Sequence, residues 1–156
     1  ETLERYAQEF GWKLIDDNNR KALFMEMVEQ MDMSYSYKPV LLKAVLRYAD
    51  KQGRVKIEDI VSHFKAYYED RRVKGLKVEK QNSIFAKGGY TDKEAERNIL
   101  SNPFKRFEDM NMKKKKKTLG IVEVDSTVWK KLSEDEKAHI LSICDKKLGE
   151  YYERIK

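Results

Sequence analysis

Five consecutive lysines, Lys113, Lys114, Lys115, Lys116 and Lys117, are the densest run of one functional group in the chain. Adjacent ammonium groups repel one another and gain by displacing counterions from phosphate. Each phosphate neutralised contributes about −0.9 to the log–log salt slope on duplex DNA. Lysine meets phosphate as a point charge and reads no base edge, so the chemistry implied is affinity without sequence preference. Lys93, Arg97, Asn98, Lys105 and Arg106 precede the run and add four cations and one amide. The competing reading of the same lysines is a solvated hairpin tip.

Other chemistry is thin. Paired acids occur at Asp16-Asp17, Glu58-Asp59, Glu69-Asp70 and Glu108-Asp109, and acids adjoin lysines at Glu79-Lys80 and in Glu134-Asp-Glu-Lys137. A metal-dependent nuclease needs such groups to converge on an ion. Glu134 to Glu136 open a helix, where acids favour the dipole, and Glu79 lies on no evident strand, so a nuclease is the weakest reading. His63 and His139 read as partly exposed structural histidines, and Cys144, on an apolar stripe, as a buried inert thiol. The seven glycines are scattered. No Gly-x-x-x-x-Gly-Lys-Ser/Thr loop occurs, so no ATPase is expected of this chain alone. One cysteine and two histidines are too few for a zinc ribbon or a disulfide framework. Tyr35, Tyr37, Tyr67, Tyr68, Tyr151 and Tyr152 could stack on unpaired bases, but their spacing suits the edges of an apolar core. No catalytic residue, metal or cofactor is expected.

The chain has 156 residues, 38% of them charged, and a net charge of +6. That net value conceals an asymmetry. Glu1 to Ser36 hold four basic and eight acidic residues, whereas the remainder holds 29 basic and 19 acidic. A polyanion would therefore meet the later part. No apolar run approaches the length a membrane span needs, and no secretory leader pattern opens the chain. A reducing, cytoplasmic setting is expected.

The elements that must position these groups follow from periodicity. Leu3, Tyr6, Ala7 and Phe10 are already in helical register at the start, which reads as a piece of a longer polypeptide. A second helix, capped by Asn18 or Asn19, carries Leu23, Phe24, Met27, Val28 and Met31. A third is expected from Pro39, with Leu41, Leu42, Val45, Leu46 and Ala49 inward and Gly53 as its C-cap. Arg54-Val-Lys-Ile57 alternates like a short strand. The next helix runs from Glu58 to about Val73 and stops at Gly75. Lys77 to Gly89 reads as a loop with room for a short strand. Thr91-Asp-Lys-Glu94 and Ser133-Glu-Asp-Glu136 are capping boxes that open two further helices. The first of these ends near Ser101 because Asn102 precedes Pro103. Phe107–Met112 and Leu119–Val124 are expected as a hairpin with the lysines at its tip, and Asp125 or Ser126 caps a turn through Trp129. The closing helix faces inward with Ile140, Leu141, Cys144, Leu148, Tyr151, Tyr152 and Ile155.

The predicted class is mainly α (α+β): a winged-helix-like core with a small β hairpin, flanked by N- and C-terminal helices. Residues 1–36 form an acidic helical appendage and residues 37–156 the winged-helix-like domain with its C-terminal helix. In such domains the third helix enters the major groove and the hairpin wing contacts the backbone. Here that helix is Asp92–Ser101, reached by an unusually long connection from Gly75 to Tyr90.

Several strings carry a resemblance. Met33-Ser-Tyr-Ser-Tyr-Lys-Pro-Val-Leu-Leu42, Gly53-Arg-Val-Lys-Ile-Glu-Asp-Ile60 and Phe64 through Tyr67-Tyr68-Glu69 are three of them. Asn98-Ile-Leu-Ser-Asn-Pro-Phe-Lys-Arg-Phe107, Trp129 and Tyr151-Tyr-Glu-Arg154 complete the set. From about Met31 to the end the chain resembles the C-terminal accessory region of bacterial superfamily II (DEAD/DEAH-type) helicases. The resemblance implies that an ATP-hydrolysing motor lies upstream, and it supplies no site residue.

The functional expectation is a non-catalytic domain that holds a DNA or RNA backbone for such a motor, in a helicase or restriction-type protein. Lys93, Arg97, Asn98, Lys105, Arg106, Lys113, Lys114, Lys115, Lys116 and Lys117 would be its contacts. The alternative is a protein-protein or intramolecular docking module, which an exposed strip of Leu23, Phe24, Met27 and Met31 would favour.

Overall fold

The computed structural model describes residues 19–103, the backbone of residues 112–114, and residues 120–156. The expected first helix over Leu3–Phe10 and the segment Phe107–Asn111 lie outside the described residues. So do five of the expected contacts: Lys105, Arg106, Lys115, Lys116 and Lys117.

The chain is mainly helical with one small antiparallel sheet. In order, the elements are α1 (Arg20–Glu29), α2 (Tyr37–Tyr48), β1 (Arg54–Lys56), α3 (Ile57–Val73) and α4 (Ile84–Lys87). There follow α5 (Asp92–Ser101), β2 (Met112–Lys114), β3 (Ile121–Val124), α6 (Ser126–Lys131) and α7 (Glu134–Arg154). The sheet order is β1-β3-β2, with both pairings antiparallel. Helix, strand, two principal helices and a hairpin whose second strand returns to pair with β1 make up the winged-helix arrangement.

α7, 21 residues and about 31 Å long, is the support. It packs along α2, which packs on α3, and α3 carries α5. Val40, Leu41, Val45, Phe64, Ile140 and Cys144 meet in this core, each at most 2% exposed. α1 leans on α6 and α7 and buries Phe24, Val28 and Met31 in the same apolar cluster. The described part of residues 1–36 thus shares its apolar cluster with the rest of the chain. Of the strip that would favour docking through α1, Phe24 and Met31 are buried, Leu23 is half-buried and Met27 is exposed.

The local signals that proved sound are those set by a few neighbouring atoms. Thr91 and Ser133 each complete a capping box with Glu94 and Glu136. Asp125, not Ser126, caps α6 through the N–H groups of Thr127 and Val128. α3 ends in a Schellman turn: the Leu76 N–H donates to Arg71 O and the Gly75 N–H to Arg72 O, with Gly75 at φ +72°.

Four expectations are corrected. α2 begins at Tyr37, two residues before Pro39. First-turn N–H groups have no partner within the helix, so proline at the third position sacrifices no hydrogen bond, and the earlier start buries Tyr37. Gly53 does not cap α2, which ends at Tyr48. It closes a turn in which Asp50 Oδ1 accepts from the N–H groups of Gln52 and Arg54. Its φ of +85° and the Trp129 side chain 3.0 Å from where a Cβ would sit both demand glycine. The segment 77–89 holds a short helix, α4, rather than a strand, because Phe85 is driven into the aromatic core. Its ring stacks on Tyr68 at 4.7 Å and meets Tyr37 and Phe64 at 5.7 Å. The long connection thus belongs to the core. Finally, β3 starts at Ile121, later than expected, while β2 is described over Met112–Lys114. Gly120 serves as a turn instead, its carbonyl accepting from the Ile57 N–H at 2.6 Å.

Candidate nucleic-acid interface

α5 owes its placement to Ala95 and Ile99, both buried against α3. Lys65 of α3 adds an ion pair to Asp92 at 2.6 Å. With that face inward, Lys93 and Arg97, one helical turn apart, are exposed together. They line a shallow depression with Glu96, Leu100 and Ser101. Asn98 points elsewhere: it is half-buried, and its Oδ1 is out of solvent with no partner among the described residues.

The face is less basic than the sequence suggested. Asp92, Glu94 and Glu96 share the helix with Lys93 and Arg97. Asp92 is spent on Lys65, and Glu94 accepts the Thr91 N–H at 2.9 Å, a bond that lowers its pKa. Glu96 is left beside the two cations.

The hairpin register divides the lysine run. Lys113 lies opposite Glu123, and Lys114 opposite Val122, so both belong to the strand ladder. The expectation of all five lysines at the tip is corrected for Lys113 and Lys114, which lie in β2; Lys115, Lys116 and Lys117 lie outside the described residues. Val122 and Val124 are buried, 1% exposed each, which fixes this register, because a slip of one residue would turn both outward.

Two cations that the sequence reading passed over flank the hairpin. On β1, Arg54 and Lys56 are exposed on either side of buried Val55. The alternation Arg54-Val-Lys56 carried that signal. Lys56 lines a second shallow groove with Glu58, Glu96, Gly120 and Ile121. Glu96 therefore borders both depressions, with Lys93 and Arg97 on one side and Lys56 on the other.

The sequence reading also missed the network around Glu79, which is 3% exposed. Its Oε2 accepts from the N–H of Ser36 at 2.8 Å and from the Ser36 hydroxyl. Its Oε1 accepts from the Lys80 N–H at 2.8 Å and from the Tyr151 hydroxyl. The single Ser36 hydroxyl proton is committed to Glu79, so Tyr68 donates to Ser36 Oγ at 2.6 Å. Tyr152 donates to Val78 O at 2.7 Å, and the Arg71 guanidinium lies 3.4 Å from the centre of its ring. Burial raises the Tyr68, Tyr151 and Tyr152 hydroxyls well above their usual range, so they stay protonated as donors. Four donors fill the Glu79 carboxylate, which leaves it a structural clasp between the 77–83 segment, the N-terminus of α2, and α7. Among the described residues no group of three or more His, Cys, Asp or Glu side chains is placed to hold a metal ion.

The remaining candidates are accounted for by packing. Tyr35 stacks on Tyr37 at 5.0 Å and has the Lys80 ammonium over its ring, so it offers no free platform for a base. Burial, then Arg47 and Lys43, push His63 down to about 4, so it is neutral at physiological pH. Burial pushes the Cys144 thiol up to about 12, which makes it inert. None of the described helices is long and apolar enough to cross a membrane.

No family model, curated protein or solved structure matches the chain.

Proposed function

We propose that the chain is a non-catalytic nucleic-acid-binding accessory domain that grips the phosphate backbone of DNA or RNA. The observation that carries the reading is that α5, with Lys93 and Arg97 exposed, borders through Glu96 the groove lined by Lys56, Gly120 and Ile121 at the start of β3. Lys93 and Arg97 face solvent from α5. Lys113 and Lys114 lie in β2, and Lys115, Lys116 and Lys117 follow them in the sequence. Lys105 and Arg106 lie on the stretch of chain between α5 and β2. Phosphate contacts of this type give affinity and orientation without base discrimination. The mixed charge of α5 and the turned-away Asn98 Oδ1 favour the same sequence-independent mode.

In this reading the domain serves a larger bacterial helicase or restriction-type protein in the cytoplasm, with the ATP-hydrolysing motor in the same polypeptide. The resemblance to superfamily II accessory regions supports that placement. A mobility shift against duplex DNA, single-stranded DNA and RNA, each at two salt concentrations, tests the reading. Retardation at low salt that is lost at the higher concentration is expected. No retardation of any probe at low salt would overturn it.

A further inference from the structure

We infer that Ser34, in the loop between α1 and α2, is a phosphorylation site, and that Lys80 and Arg154 hold the phosphoryl group. The inference is independent of the nucleic-acid reading above.

Three observations carry it. First, the hydroxyl is available. Ser34 is exposed on irregular backbone, and its side chain enters no hydrogen bond among the described residues. The other described serines and threonines are not placed in this way. Ser36 and Ser83 are buried, Thr91 and Ser133 cap helices, Ser101 donates to Asn98 O, and the rest lie within helices.

Second, two cations from separate elements converge on this one residue. Lys80, from the 77–83 segment, donates to Ser34 O at 2.7 Å. Arg154, at the end of α7, donates to the preceding carbonyl, Met33 O. Both also lie against the Tyr151 ring, 5.9 and 5.5 Å from its centre. Convergence sets this pair apart from isolated surface cations. Lys147 and Lys38 hold the carbonyls of Met31 and Asp32 in the same manner.

Third, the charge on the pair is unmatched. Neither Lys80 nor Arg154 enters an ion pair among the described residues. Their partners are neutral carbonyls, and a phosphoryl oxygen is a stronger acceptor than a carbonyl. The nearby acids are Asp32, which is exposed, and Glu79, whose oxygens are filled by four donors. A phosphoserine brings a charge of about −1.5 to −2 at pH 7 and three acceptor oxygens.

The step is phosphoryl transfer from a nucleoside triphosphate held by a serine/threonine protein kinase. Ser34 Oγ attacks the γ-phosphorus and the Oγ–P bond forms. The bond from that phosphorus to the β-phosphate oxygen breaks, and the nucleoside diphosphate leaves. The hydroxyl proton passes to the general base of the kinase. The product fastens the α1–α2 loop to α7 and to the 77–83 segment through charge-assisted bonds.

The test has two readouts. Peptide mass spectrometry of the whole chain from its native cells is expected to find phosphate on Ser34. Its absence there overturns the inference. The second is the Tm of the whole chain with phosphoserine installed at position 34, compared with the unmodified chain. A rise of about 3–6 °C is expected, and the rise should vanish when Lys80→Gln and Arg154→Gln are both present. An unchanged or lowered Tm overturns the inference, and so does an equal rise without the two cations. Ser34→Asp, one charge on a shorter side chain, should give a smaller rise than phosphoserine.

Discussion

The two sides of the molecule treat their polar groups in opposite ways. On the helical side, where α2, α3 and α7 meet, both oxygens of the buried Glu79 carboxylate are filled by neighbouring donors, and some surface cations, Lys43 and Lys65 among them, pair with acids. On the sheet side, Arg54, Lys56, Lys93 and Arg97 face solvent outside any ion pair among the described residues. Satisfied polar groups belong to folding, because each was desolvated in exchange for a defined partner. Exposed cations outside any ion pair have no such defined partner within the described residues. An acid–lysine pair in the sequence, Glu79-Lys80, looked more like chemistry than Arg54 and Lys56 did. The structure gives Glu79 a role in folding instead.

The largest effect should come from opening the buried network. Glu79→Ala strands the Ser36 N–H and hydroxyl, the Lys80 N–H and the Tyr151 hydroxyl. A loss of about 3–5 kcal/mol in denaturant unfolding is expected. A loss below about 1 kcal/mol would mean that Glu79 is not the clasp described.

Gly53 lies between the two sides and tests whether the sheet is packed as firmly as the helices. In Gly53→Ala the new Cβ meets Trp129 at 3.0 Å and Val124 O at 3.1 Å on a backbone at φ +85°. A cost of about 2–3 kcal/mol and a lowered Tm are expected. No change in Tm would show that the sheet yields freely.

His63 adds a pH dependence to the helical side. Its pKa is about 4 in the folded protein and 6.5 when unfolded, so the unfolded chain binds the extra proton between those values. Its contribution is intact above pH 6.5 and is lost as pH falls toward 4. Solvent reaches part of the ring, so the loss expected is about 1 kcal/mol. His63→Gln should flatten the unfolding free energy across that window. An identical pH profile in the variant would remove His63 as the cause.

The smallest effect belongs to surface pairs. Breaking the exposed Lys65–Asp92 pair with Lys65→Gln should leave the denaturation midpoint unchanged within error, because solvent screens the pair. A midpoint lowered as far as by Glu79→Ala would put that pair on the same footing as the buried network.

How much was legible in the sequence follows from range. The Thr91 and Ser133 boxes, the Asn102-Pro103 stop and the Gly75 terminus are decided within five residues, and each stands in the structure. The order of helices and strands followed from periodicity. The Glu79 network was hidden because its partners lie 43 and 72 residues away. α4 was hidden because one aromatic, Phe85, outweighs four residues of mixed polarity. The lysine run was legible as composition but not as register, since the burial of Val122 and Val124 decides where β2 and β3 pair.

The central claim is that unmatched cations on the sheet side hold a nucleic-acid backbone, and the lysine run tests it most directly. Duplex DNA binding is measured across a salt series for wild type and for a variant with Lys113, Lys114, Lys115, Lys116 and Lys117 all replaced by glutamine. The account predicts a linear fall of log affinity with log salt for wild type, and a slope flatter by up to about 4.5 units in the variant. The same affinity and slope in both proteins would contradict it.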